Sequence, residues 1–227
     1  MQILITAATN LEIKGFLDKI EKKESFYENL WNFSNGNKNF ALLITGIGSS
    51  ISTYNLLKTL QTKKYDLVIN CGLAGSFTKD IPIGSLVNVV SDCFADLGSD
   101  DNGNFLSVYD LKLENPNTFP FSNGKLVNKT SLKFINLPKV CGITVNKASG
   151  NEKEIDFLKQ KYNPITESME GAGIAYTCIM EKIPFVQIRA ISNYVLPRNQ
   201  QNWNIKLALN NLHNFLFSLM KNYSDEK

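Results

Sequence analysis

Histidine is almost missing from this 227-residue chain, which has His213 alone, so His-based metal sites and Ser/His/Asp triads lack a residue they depend on. The helix-like stretch around His213 reads as carrying a surface or partly packed imidazole. Arginine is nearly as scarce: Arg189 and Arg198 are the arginines among 24 basic residues. The lysines are scattered or paired, as at Lys22-Lys23 and Lys63-Lys64, and do not form a stripe. With a net charge of +3, that distribution gives nucleic-acid binding little support. The four cysteines, Cys71, Cys93, Cys141 and Cys178, lie far apart in or beside apolar runs, without CxxC or Cys/His pairing, and read as buried thiols. No apolar run approaches the roughly 18 residues of a membrane span. Met1 leads straight into Ile3-Leu4-Ile5 without a basic leader region, so a cytoplasmic protein with no membrane partner is expected. GxGxxG and GxxxxGK[ST] are both absent, which weakens dinucleotide and P-loop readings.

What is present describes a well-filled core. Hydrophobic residues make up 43% and charged residues 20%, an ordinary globular balance, and no linker or repeat divides the chain, so residues 1–227 are expected to form a single domain. Apolar, β-rich runs recur at Gln2 to Ala7, Phe40 to Thr45, Leu67 to Cys71, Leu86 to Ser91, Val140 to Val145 and Phe185 to Ile191. Their near-continuous hydrophobicity predicts strands covered on both faces. Helix-period stretches lie between several of them, at Leu11 to Lys22, Ser50 to Gln61, Asn151 to Lys161 and Glu170 to Lys182. A last amphipathic helix spans about Asn204 to Met220. The alternation predicts an α/β fold. Asp92 to Lys139, rich in Asn, Gly, Pro, Ser and Asp, reads as a long excursion carrying substrate-facing loops.

Several residues invite two readings. The turns Thr45-Gly46-Ile47-Gly48-Ser49 and Cys71-Gly72-Leu73-Ala74-Gly75-Ser76 follow strands, and are either tight turns or places where backbone amides approach a ligand. Glu12, where the first strand hands over to a helix with Thr9 and Asn10 as candidate caps, is by itself a first-turn carboxylate favoured by the helix dipole. Glu170, after Met169 and before Gly171-Ala172-Gly173, is by itself equally compatible with a structural role. Phe185 to Asn193 reads as a buried strand delivering polar groups at its carboxyl end, where ligand sites of open α/β sheets gather.

Taken together, these segments resemble the purine nucleoside phosphorylase/nucleosidase superfamily over nearly the whole length, and within it the branch of methylthioadenosine/adenosylhomocysteine nucleosidases and futalosine hydrolases. Gln2 through Glu12 resembles the family's first strand, turn and water-activating glutamate. The turns at Gly46 and at Gly72, Leu73 and Ala74 resemble those lining the sugar and base pocket. Met169-Glu170 resembles the pair that packs on and bonds the ribose. Arg189-Ala190-Ile191-Ser192-Asn193 resembles the family's Arg-Ala-x-Ser-Asp, with Asn193 in place of the aspartate that assists departure of adenine. Leu73 likewise stands where the nucleosidases commonly have serine. The segment Gly142 to Gly150, with Val145 and Asn146, and Arg198 with Trp203, look like features of the futalosine hydrolases of the menaquinone pathway. The fold that this resemblance implies is a three-layer α/β sandwich with a mixed central sheet, phosphorylase/hydrolase-like, assembled as a homo-oligomer, most simply a dimer.

The implied chemistry is hydrolysis of an N-glycosidic bond without metal or cofactor. Glu12 would activate water, Glu170 would bond a ribose hydroxyl, and Asn193 would serve a 6-oxopurine such as the hypoxanthine of futalosine. Arg198 is the candidate partner for the carboxylate on that substrate's 5′ tail, with Phe94, Phe105 or Trp203 as aromatic neighbours. The alternatives are a nucleosidase acting on methylthioadenosine, adenosylhomocysteine or 6-amino-futalosine, a purine nucleoside phosphorylase, and a non-catalytic nucleoside-binding module. Asn193 weighs against the first. The lack of arginine around Ala8 to Glu12 and Ile69 to Ser76 weighs against the second, and the pairing of Glu12 with Glu170 against the third.

Overall fold

The computed structural model describes residues 2–21, 23–27, 29–35, 38–197 and 203–222. The strands β1 (Gln2–Ala7), β4 (Lys38–Ile44), β5 (Leu67–Ser76) and β12 (Phe185–Tyr194) lie side by side and parallel in the order β4-β1-β5-β12. Their largely apolar sequence is explained by what covers them. Ile3 and Ile5, Phe40 and Leu42, Leu67 and Ile69, and Val186 and Ile188 face helices α1 (Asn10–Leu17) and α5 (Ile205–Asn222) in one core cluster. Leu4, Ala41, Leu43, Val68 and Phe185 pack in a second cluster with α2 (Ser49–Thr62) and α4 (Gly171–Met180). Alternate side chains point to opposite faces of a strand, so a sheet buried on both sides is apolar at most positions of both faces.

The sheet is mixed. Beyond β12 come β6 (Leu86–Asp92), antiparallel to it, then β10 (Lys139–Thr144) and β11 (Thr166–Ser168). Strand β11 pairs both with β10 and, antiparallel, with β5, so β5, β12, β6, β10 and β11 close on one another. At the other edge stands a hairpin, β2 (Lys23–Tyr27) and β3 (Leu30–Asn35), that the hydrophobic pattern does not announce. Helix α3 (Glu152–Tyr162) is capped by Asn151, and β9 (Leu126–Val127) pairs with β6. No helix among the described residues is long and apolar enough to cross a membrane.

Three expectations need correction. Helix α1 stops at Leu17: Asp18 caps it, and Lys19 and Ile20 donate to the carbonyls only three residues back, tightening the chain out of the helix. Cys71 to Ser76 is not a turn. It continues β5, because β12 pairs with it from Gly72 to Ser76 and β11 pairs with Gly75 and Ser76. The cysteines are free, but Cys141 is only partly buried, unlike Cys71, Cys93 and Cys178.

Candidate active site

The carboxyl ends of β1, β5, β12 and β11 surround a cavity of about 390 Å³. Glu12 enters it from the start of α1. Thr9 is the N-cap, with Asn10 the first helical residue, and Thr9 and Glu12 form a reciprocal capping box. The Glu12 carboxylate does more than cap. Its Oε2 accepts from the amides of Ala8 (3.0 Å) and Thr9 (3.1 Å), while Oε1 accepts from the amide of Leu73 on β5 (2.9 Å). Three backbone donors on two elements therefore hold one buried carboxylate in position. The helix carrying it is braced by His213, which is buried, not on the surface: its Nε2 lies 2.8 Å from the Glu12 carbonyl oxygen.

Gly72 sits behind this carboxylate. A Cβ there would lie 2.7 Å from Glu12 Oε1 and 2.9 Å from Arg189 Nη1, so only glycine lets β5 run so close. Arg189 is 2% exposed, and its Nε and Nη2 have no acceptor among the described residues. A buried guanidinium with free donors is a strong local source of positive potential.

Glu170 stands at the mouth of α4 and accepts from the Gly48 amide (3.0 Å) through Oε1. Gly48, at φ +87°, turns that amide inward. Burial pushes the Glu170 carboxyl above the ordinary range, with Arg189 pulling the other way. At the far end, Ser192 Oγ donates to Asn193 Oδ1 (2.8 Å), and Asn193 Nδ2 donates to the Tyr194 carbonyl (3.1 Å). The Tyr194 carbonyl takes one of the two Nδ2 hydrogens, so one donor remains on the amide nitrogen.

Glu12, Leu73, Ala74, Met169, Glu170 and Asn193 thus share one cavity wall, with Trp203 at its rim. Other candidates fall elsewhere. Gly46 (φ +84°) shapes the turn before α2, and Gly72 supports Glu12 from behind. Val145 is a core residue that lines a separate cleft with Ala95, Phe105 and Phe157. The Asn146 amide is exposed and bonds Asp96. Arg198 lies outside the described residues. None of Asp92 to Lys139 borders the cavity: Phe94 packs on the core beside α4, and Phe105 stands edge-on to Phe157. Within the excursion, β7 (Gly98–Asp101) and β8 (Asn104–Ser107) form a hairpin.

Sequence reasoning passed over Glu167, which lines the same cavity together with Ser149 of the Gly142 to Gly150 segment. Glu167 accepts from the Ser149 amide (3.0 Å) and hydroxyl (2.5 Å). The available signal was a carboxylate inside the short extended run just before Met169-Glu170.

A mixed-sheet α/β fold whose strand ends gather two carboxylates, a third buried acid and a carboxamide around one cavity defines a small-molecule site. The chain belongs to the phosphorylase superfamily, whose family model matches residues 2–221. Among its relatives is a futalosine hydrolase of Streptomyces coelicolor, 31% identical over 174 residues, spanning 74% of this chain and 73% of that protein. A 5′-methylthioadenosine/S-adenosylhomocysteine nucleosidase from a Geobacillus species is 28% identical over 203 residues, 85% of each chain. The fold is also that of the solved futalosine hydrolase of Helicobacter pylori, with a TM-score of 0.80 over 98% of both chains at 20% identity.

Proposed function

We propose that this chain hydrolyses the N-glycosidic bond of a purine nucleoside, and that the nucleoside is futalosine, releasing hypoxanthine in menaquinone biosynthesis. The observation that carries this reading is the convergence of Glu12, Glu170 and Asn193 on one cavity, with an amide where an acid would be needed to protonate adenine. Rupture of the C1′–N9 bond builds positive charge on the sugar and negative charge on the base, and both ends need a partner. Glu170 accepts a ribose hydroxyl. Glu12 takes a proton from the attacking water as its oxygen bonds to C1′, and the bond's electron pair leaves with N9. Asn193 donates to N7 or O6. An amide cannot hand over a proton, so the site suits a base acidic enough to depart as an anion, as hypoxanthine is more readily than adenine.

Two core clusters on opposite faces of the sheet suit a three-layer sandwich formed by the chain as one domain. Exposed Ile47, which lines the cavity, and exposed Ile51 and Tyr54 on the helix that follows suit burial in a homo-oligomer, most simply a dimer. The absence of a membrane-length helix among the described residues agrees with a cytoplasmic site of action. Arg198 would meet the substrate's tail carboxylate, and Arg198→Ala would then raise KM for futalosine while sparing inosine.

Arg189 favours one second reading, a phosphorylase, because its unpaired guanidinium nitrogens would suit an anion near Glu12. One experiment separates these: purified protein with futalosine, inosine or methylthioadenosine, with and without phosphate. Hypoxanthine freed from futalosine without phosphate is the expected result. Phosphate dependence would establish the phosphorylase, adenine release the adenine nucleosidase, and no release a binding module.

A further inference from the structure

Glu167 is a buried acid, 7% exposed, that the chemistry above does not use. Its place is set by register. Gly75 on β5 pairs with Glu167 of β11 on one side and with Asn193 of β12 on the other. Neighbouring strands lie about 4.8 Å apart, so the two residues stand roughly 10 Å apart across a residue with no side chain. Gly75 must be small: a Cβ there would lie 2.7 Å from Val195 Cγ2 and 3.2 Å from Asn193 Nδ2. Glu167 and Asn193 both line the cavity. The gap between them is wide enough for the edge of a purine ring.

The chemistry of the two groups is complementary. Each Glu167 oxygen takes one bond, both from Ser149, and a carboxylate has about four acceptor positions, so capacity remains. Among the described residues no lysine or arginine forms an ion pair with it. A 6-oxopurine presents a donor, N1–H, beside an acceptor, O6. A 6-aminopurine presents the reverse, an N1 lone pair beside an amino group. An acid facing N1 with an amide donor facing O6 matches the first and opposes the second. We infer that Glu167 is a specificity-determining residue that accepts N1–H of a 6-oxopurine while Asn193 donates to O6 or N7. The inference rests on reading this cavity as a purine-nucleoside site.

Binding of free bases to the full chain, measured by calorimetry, tests this without relying on turnover. Wild-type protein is expected to hold hypoxanthine about 10- to 100-fold more tightly than 1-methylhypoxanthine or adenine, the span expected for one hydrogen bond to a charged group. Glu167→Gln retains an acceptor for Ser149 and can offer N1 either donor or acceptor. It is expected to narrow the hypoxanthine-to-adenine ratio by about 10-fold or more, with the inosine-to-adenosine ratio of kcat/KM following. An unchanged ratio in Glu167→Gln, or equal wild-type affinity for hypoxanthine and 1-methylhypoxanthine, overturns the inference. Should the variant not fold, the wild-type comparison still decides. A protein that frees hypoxanthine from futalosine without this discrimination refutes the role of Glu167 alone. One that binds bases selectively yet cleaves no nucleoside refutes the hydrolase reading alone.

Discussion

Replacing Gly72 by alanine would put a methyl carbon 2.7 Å from Glu12 Oε1 and 2.9 Å from Arg189 Nη1. Ordinary carbon–oxygen contact begins near ~3.4 Å, so the carboxylate must retreat by roughly 0.7 Å. The backbone of Gly72 is not in the left-handed region, and the whole effect therefore comes from this contact. A retreat of that size stretches the 2.9 Å bond from the Leu73 amide beyond hydrogen-bonding distance. Losing one bond to a charged group costs about 1.5–3 kcal/mol, partly offset by the roughly 0.4–1 kcal/mol that alanine contributes by stiffening the unfolded chain. Since a misplacement of about 1 Å in a reacting group can cost ~100-fold, kcat for futalosine hydrolysis should fall about 10- to 100-fold. KM should change little, because in the proposed mechanism Glu12 acts on water and not on the nucleoside. Steady-state release of hypoxanthine gives the rate, and a melting curve confirms that the variant folds. A folded Gly72→Ala protein with kcat within about twofold of wild type would refute the assignment of Glu12 as the base.

Two further outcomes follow from the same geometry. Asn193→Asp supplies an acid at the base end, so in a substrate panel kcat/KM for adenine nucleosides should rise relative to futalosine by about 10-fold or more; an unchanged preference would count against Asn193 facing the base. Burial holds the Glu170 carboxyl above its ordinary range and its role needs the ionised form, so activity should fall as pH drops through a value above the ordinary ~4.3, and Glu170→Gln should lower the rate and flatten that acid limb. With the folded value raised, the folded state binds the proton more readily than the unfolded, so stability falls as pH rises through that window. Glu170→Gln should therefore melt higher than wild type at pH 7.

The core was legible because two-sided burial leaves its mark on every residue of a strand: Gln2–Ala7 has the bounds that its hydrophobicity predicts. The edge hairpin was not, since only Leu30 and Phe33 of Leu30–Asn35 are buried, and they pack on opposite faces of the sheet, which leaves neither an alternating nor a continuous apolar run. The glycines of β5 read as a turn because local composition cannot report that Glu12, Arg189 and Asn193 crowd the strand. For the same reason His213 read as a surface or partly packed residue, not a buried one: its partner, the Glu12 carbonyl, is 201 positions away. Glu12, Glu170 and Asn193 were legible as candidates through their resemblance to a family, and their meeting at one cavity depends on register between strands distant in sequence. Glu167 was missed because its importance arises from pairing with Gly75, a contact spanning 92 positions.

The account's central claim is that the two acids serve the sugar and the amide serves a 6-oxopurine within one cavity. Its most direct measurement is the position of hypoxanthine in a crystal of the complex. Asn193 Nδ2 is expected within about 3 Å of O6 or N7, with Glu12 and Glu170 facing the space left by the ribose. Hypoxanthine bound against Glu12, or outside the cavity that Asn193 lines, would contradict it.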